Sequence, residues 1–266
     1  TNDLLKSGVT AIAYETVTDG SGGLPLLAPM SEVAGKLAPQ VGSWALQKAN
    51  GGLGTLLGGV PGVSPSEVIV IGGGNVGVHA ARVAAGMGAN VTILDMSLPR
   101  MRYLDDVFGN VFKTAYASTA NTAKTADMVI GAVLVPGAAA PKLISRPQLS
   151  TMKPGSVLVD VAIDQGGCFE TSKATTHDDP IYEVDGIIHY CVANMPGAVA
   201  RTSTIALSNA TMPFMISLAD KGWKKACEDD SNLLNGLNTH KGNLTYAAVG
   251  KALQLDVISS KEALYL

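Results

Sequence analysis

The chain has 266 residues, 47% of them hydrophobic and 15% charged, and a formal net charge of −3. This is enough apolar material for one large or two modest domains, and it excludes a disordered chain. The few lysines are scattered through the sequence, so no basic face for nucleic acid is expected.

The opening residues, Thr1-Asn2-Asp3-Leu4-Leu5, carry neither an initiator methionine nor a signal-peptide pattern, and they read as a chain whose true beginning lies elsewhere. Residues 9–14 (Val-Thr-Ala-Ile-Ala-Tyr) predict a strand, and Asp19-Gly20-Ser21-Gly22-Gly23 a flexible turn. A long helix is expected next, capped by Ser31 just after Pro29. Val33, Leu37, Val41, Trp44, Ala45 and Leu46 recur at helical spacing, and Pro39 predicts a kink. Glycines at 51–52 and in Gly58-Gly59-Val60-Pro61-Gly62 then interrupt the chain.

Val68-Ile69-Val70-Ile71 predicts a buried strand running into Gly72-Gly73-Gly74-Asn75-Val76-Gly77 and then an alanine-rich helix. A second strand, Val91-Thr92-Ile93-Leu94, ends on Asp95. The order strand, glycine turn, helix, acid-ended strand is that of a dinucleotide site. Gly72 permits the tight turn, Gly74 lets backbone approach a pyrophosphate, and Gly77 allows close packing of the helix, whose N-terminus faces the phosphates. Gly72, Gly74, Asn75, Val76 and Gly77 are therefore candidate cofactor contacts. Asp95 is placed to accept the adenosine ribose hydroxyls and to repel a 2′-phosphate, which predicts NAD rather than NADP.

Further strands are expected at 111–117, 128–134, 156–163 and 186–193, with short helices between them. This alternation predicts an α/β fold, a Rossmann-type doubly wound parallel sheet. The longest apolar stretch, Met128 to Leu134, is broken by Pro136 and Gly137, short of the ~20 residues a membrane helix requires. No membrane partner is expected. From Thr202 to about Trp223 the sequence predicts a helix with Ile205, Met212, Met215, Ile216 and Leu218 toward one side, the methionines as core filler and Pro213 as a bend. Residues 29–201 thus read as the nucleotide-binding domain with its leading helix. Residues 1–28 and 202–266 flank it, each too small to fold alone, and are expected to combine in an incomplete second α/β domain. Such a domain exposes apolar surface on 1–28 and 202–223, which predicts oligomerisation, a partner chain or aggregation. Cys168, Cys191 and Cys227 have no metal-ligand spacing and cannot all pair within one chain. No metal site is expected, and a reducing, cytoplasmic location is.

Six strings in fixed order carry a resemblance that spans essentially the whole chain: Ala13-Tyr14-Glu15-Thr16-Val17, Pro25-Leu26-Leu27-Ala28-Pro29-Met30-Ser31-Glu32, Gly58-Gly59-Val60-Pro61-Gly62-Val63, Gly131-Ala132-Val133-Leu134-Val135-Pro136-Gly137, Asp160-Val161-Ala162-Ile163-Asp164-Gln165-Gly166-Gly167-Cys168, and Val192-Ala193-Asn194-Met195-Pro196. The chain resembles the alanine dehydrogenases. The resemblance implies reversible NAD-dependent oxidative deamination of L-alanine to pyruvate and ammonium, and a homo-oligomer, commonly a hexamer. Carried over residue by residue, it implies that Asp95 binds ribose with Arg100 near the adenosine, that Ser31 is a phosphate-side contact, and that Val133 and Leu134 lie beneath the cofactor. Val161 and Ile163 join the cofactor contacts. Asp164 is the active-site aspartate beside the nicotinamide, and Val192, Asn194 and Met195 form the wall holding that ring. One position departs: relatives often have serine after the tyrosine matching Tyr116, whereas this chain has Ala117, a contact that Ser118 or backbone is expected to replace.

The family supplies an arginine, a lysine and a histidine from the N-terminal substrate domain, for carboxylate binding, carbonyl polarisation and acid/base work. This chain begins beyond the last of them, so it is expected to bind NAD but not to catalyse alone, and its expected partner is either further copies of itself or a chain that supplies the missing N-terminal segment. Of the four histidines, His189 lies nearest the expected site, yet a satisfied strand histidine is the commoner case. Two alternatives stand beside the main reading. One is the nucleotide-binding subunit of a proton-translocating transhydrogenase; the other is a non-catalytic NAD-binding module.

Overall fold

The computed structural model describes residues 1–117, 123–133 and 140–266. They fall into two compact units, one holding Thr1–Met30 and Val199–Leu266, the other the described residues between 31 and 198.

The larger unit is built on seven strands: β2 (Glu67–Ile71), β3 (Asn90–Asp95), β4 (Lys113–Tyr116), β5 (Met128–Gly131), β6 (Val157–Asp160), β7 (Ile181–Val184) and β8 (Ile187–Tyr190). Their spatial order is β4-β3-β2-β5-β6-β8-β7. Every neighbouring pair is parallel except β7 with β8, so the first six strands follow the Rossmann order and β7 adds an antiparallel edge. β2, β5, β6 and β8 read as near-continuous apolar runs because the sheet is covered on both faces. Ile69, Ile71, Leu94, Val129, Leu158 and Ile187 share one core cluster with Phe169. Val68, Val70, Ile93 and Val159, alternating with these along their strands, are equally buried. Helix α2 (Ala28–Ala45) approaches the sheet closely at Gly42, where a Cβ would lie 2.5 Å from the Met128 Cε.

Several expectations are corrected at the ends of elements. Helix α2 starts at Ala28, so Ser31 lies in its first turn and does not cap it. Pro29 costs nothing there, because an amide at that position has no intrahelical acceptor. The helix also continues through the buried Pro39, and Trp44 points outward at 40% exposure. The strand expected over 156–163 ends at Asp160, and the segment from Ile163 to Gln165 is a 3₁₀ turn. The strand expected over 186–193 is the second arm of a hairpin. Asp185 and Gly186 both take positive φ (51° and 81°), the conformation of a two-residue type I′ connection.

In the smaller unit, β1 (Ala11–Ile12), β9 (Leu237–His240) and β10 (Asn243–Leu244) form an antiparallel sheet. The strand expected over 9–14 shrinks to two residues because Tyr14–Thr16 winds into a 3₁₀ turn, with the Ala13 N–H donating to the Gly236 carbonyl at 2.8 Å. Val17, Leu26, Ala226, Cys227, Leu233, Leu237 and Leu264 make its core. The C-terminal helix, Ala200–Asp229, passes through Pro213 and breaks at Gly222 (φ 73°), so the discontinuity lies nine residues beyond the expected bend. Met212 and Met215 are 52% and 59% exposed, as are Ile205 and Ile216 at 53% each. The helix packs Phe214, Leu218 and Trp223 against the core of the unit, whereas the two methionines lie at the surface and are not core filler.

Candidate functional site

β2 and β3 pair in register from Glu67 opposite Asn90 to Ile71 opposite Leu94, and the ladder continues one step into the glycine turn, where the Gly72 N–H donates to the Leu94 carbonyl at 2.8 Å. Gly72 then turns at φ +103°, a left-handed conformation, and a Cβ there would stand 2.7 Å from the Ala132 carbonyl oxygen. Gly77, on helix α3 (Asn75–Gly86), sits so close to the turn that a Cβ would collide with the Gly72 carbonyl. Gly74 is different: the space its side chain would fill is open. It precedes α3 and offers no side-chain cap, so the first amides of the helix at Asn75, Val76 and Gly77 are left for an external acceptor.

Asp95 closes this turn. One carboxylate oxygen accepts the Gly73 N–H at 2.7 Å and the other accepts the Ser97 N–H at 2.8 Å. A carboxylate offers about four acceptor sites, so each oxygen keeps capacity for a further donor. Arg100, in helix α4 (Leu98–Phe108), donates from Nε to the Gly73 carbonyl at 2.6 Å, and its guanidinium lies 4.9 Å from the centre of the Tyr103 ring. Asp95 and Arg100 thus hold the N–H and the C=O of the same glycine. The Ala117 N–H donates to the Asp95 carbonyl at 3.0 Å, so the backbone at the departing position is engaged in the sheet. Ser118 and Leu134 lie outside the described residues. Val133 is half-buried beside the turn, its Cγ2 3.1 Å from the position of a Gly72 Cβ.

A second cluster forms where β6 ends, with β5 between it and β2. Val161 is half-buried and its N–H donates to the Gly131 carbonyl at 3.0 Å; Ile163 is buried. Asp164 is exposed on the 3₁₀ turn, and its carboxylate receives the Asn194 N–H at 3.4 Å. Asn194 is held at φ 54°, unusual for a residue with a side chain, between buried Val192 and buried Met195. Its carbonyl accepts the Gly197 N–H at 2.9 Å and contacts His177 Nε2 at 3.2 Å, which must donate because a carbonyl only accepts. Asp164, Asn194 and His177 are therefore one constellation. No local spacing in the sequence connects His177 with residue 194.

His189 takes no part in it. It is fully buried, stacked on Tyr182 with ring centres 5.0 Å apart. Nδ1 bonds the Ile187 carbonyl at 3.0 Å and so carries the proton, which makes Nε2 the acceptor of the Thr171 hydroxyl at 2.7 Å. Burial pushes its pKa down. It is a satisfied core histidine. The three cysteines are free and buried, and burial raises the thiol pKa of Cys191 and Cys227 to about 11 in each case.

A parallel sheet in this order, with a glycine turn after its first strand and a pinned acid closing its second, defines a Rossmann-type nucleotide-binding domain. Residues 38–247 match the family described as "Alanine dehydrogenase/PNT, C-terminal domain". The chain is 63% identical over 264 residues to the alanine dehydrogenase of Halomonas elongata, covering 98% of this chain and 71% of that protein. It is 59% identical to the alanine dehydrogenase of Mycolicibacterium smegmatis, covering 96% and 70%. A solved L-alanine dehydrogenase superposes with a TM-score of 0.89 at 47% identity, over 95% of this chain and 71% of that one. A transhydrogenase from Sinorhizobium meliloti superposes at 0.77 with 22% identity, over 92% and 70%, a likeness of fold alone. The chain belongs to the alanine dehydrogenase family.

Proposed function

We propose that this chain binds NAD across the strand-end crevice of its larger unit and serves the reversible oxidative deamination of L-alanine to pyruvate and ammonium. The observation that carries this reading is family membership over nearly the whole chain. The local geometry fits such a ligand. The Gly74 side is open, the α3 N-terminus is uncapped, and Asp95 retains acceptor capacity after pinning the turn.

In this reading the 72–77 backbone, with Asn75 and Val76, receives the pyrophosphate. Asp95 takes the ribose hydroxyls and disfavours a 2′-phosphate, Arg100 lies near the adenosine and Ser31 on the phosphate side. Val133, Leu134, Val161 and Ile163 lie beneath the cofactor, and Val192, Asn194 and Met195 hold the nicotinamide. When bound, NAD supplies the hydride acceptor. Asp164 works on the substrate side: as a hydride leaves the alanine Cα, positive charge grows on the carbon–nitrogen unit, and a nearby carboxylate stabilises it more than it stabilises neutral substrate.

The test is NADH formation from L-alanine and NAD, followed by absorbance at alkaline pH, with this chain alone and, in parallel, mixed with an N-terminal segment from a family member. Asp164→Asn should lower kcat about 100-fold or more, the loss typical of one electrostatic stabiliser, and should leave the affinity for ADP-ribose, which does not reach Asp164, unchanged. A D164N chain as active as the parent would remove Asp164 from the chemistry. We propose further that the protein is a homo-oligomer, a hexamer by the family resemblance, which sedimentation would show; a monomer would refute it. Three buried free thiols support a reducing, cytoplasmic setting. No helix among the described residues is long and apolar enough to cross a membrane.

A further inference from the structure

Four residues before Asp164 stands a second carboxylate. Asp160 ends β6 with no exposed surface. An acceptor-only group buried to this degree is costly unless its lone pairs are met by donors. Here they are met four times. Oδ1 accepts the Ala162 N–H at 3.0 Å and the Cys168 thiol at 3.4 Å; Oδ2 accepts the Cys168 N–H at 2.8 Å and the Ser172 hydroxyl. Two of those donors, the amides of Ala162 and Cys168, are the two ends of the loop that carries Ile163, Asp164 and Gln165.

The loop is moulded around this anchor. Gly167 turns at φ +74°, and a Cβ on it would lie 2.8 Å from the Asp160 Oδ2. The Cys168 side chain packs onto Gly131, which pairs with Asp160 across the sheet. From outside, the Lys142 ammonium holds the Gly166 and Gly167 carbonyls at 2.6 and 2.7 Å. The loop is thus fixed at its base by a buried anion and at its outer edge by a cation.

We propose that Asp160 is the positioning residue for Asp164: it closes the 162–168 loop on the end of β6 and so sets where the Asp164 carboxylate stands. The proposal rests on the reading of Asp164 as the group at the nicotinamide end of the site. An asparagine at 160 keeps the shape but turns one acceptor into a donor that faces an N–H group, so the loop must give way. The glycine turn and Asp95 make no bond to Asp160 and should be untouched.

The experiment compares Asp160→Asn, and the milder Ser172→Ala should the first fail to fold, with the parent chain in binding two probes. ADP-ribose uses only the adenosine and pyrophosphate half of the site, while NADH uses both halves. We expect ADP-ribose affinity to be unchanged, and NADH affinity and the fluorescence enhancement of its bound nicotinamide to fall, the affinity by about tenfold. In an Asp164→Ala background the effect of D160N should largely vanish, since a residue acting through Asp164 has nothing left to position. Equal losses for both probes, no loss for either, or full additivity with D164A would each overturn the proposal. A parent chain that binds neither probe would instead overturn the cofactor reading, and this proposal with it.

Discussion

Gly77 has no room for a methyl group: a Cβ there collides with the Gly72 carbonyl, which is backbone and cannot rotate away. Gly77→Ala should cost about 1–3 kcal/mol in urea unfolding through overpacking, and should weaken NADH binding by lifting the helix from its turn. An alanine variant of parental stability would mean that the helix and turn are not held together as tightly as their geometry requires. The buried His189 makes a prediction in pH. Its folded pKa lies below the ordinary 6.5, so the folded state resists protonation while the unfolded chain does not. The stability it contributes is therefore complete above about pH 6.5 and is lost as pH falls through that value toward the folded pKa. The half-buried His79 acts in the same direction, also through burial. Urea melts on either side of pH 6.5 should show this acid sensitivity, and His189→Gln should flatten it; an undiminished slope would assign the effect elsewhere.

Two hairpins and one break show how element boundaries arise. Asp185-Gly186 and Lys241-Gly242 both place two successive residues at positive φ, and each connects antiparallel strands. The first pair was readable, since Asp-Gly between apolar runs is a strong hairpin signal, yet strand β7 ahead of it was not expected because Ile181–Val184 is only half-buried at an edge. The second has a lysine where asparagine or aspartate is usual, which hides it from the same rule. In the C-terminal helix the two candidate breakers compete, and Gly222 prevails over Pro213. The space around Gly222 is open, so Gly222→Ala meets no clash and pays only for its backbone, at φ 73° and ψ 158° a conformation that is essentially glycine's alone. The expected loss is about 1–3 kcal/mol, measurable by thermal unfolding. A stabilised variant would mean that the two segments straighten into one helix.

At the scale of the molecule, the two units have separate cores, and the candidate nucleotide crevice belongs to the larger one. Calorimetry with NADH at about 100 times its Kd should stabilise the transition of the larger unit by about 2.7 kcal/mol, the linkage expected when only the folded state binds. A thermogram that does not move would exclude binding at that crevice. The sequence by itself determined the glycine turn, Asp95 and the parallel sheet, because each rests on short-range spacing: a strand's apolar run, a turn's glycines, an acid at the next strand's end. Only the tertiary structure decided that Asp160 is an anchor, that Asn194 is held left-handed beside Asp164 and His177, that Ser31 lies within its helix, and that Met212 and Met215 face outward. The physical reason is common to all four. Burial and hydrogen-bond partnership depend on which segments meet, and the donors that satisfy Asp160 or the neighbours absent from Met215 are set by packing, which no local periodicity encodes.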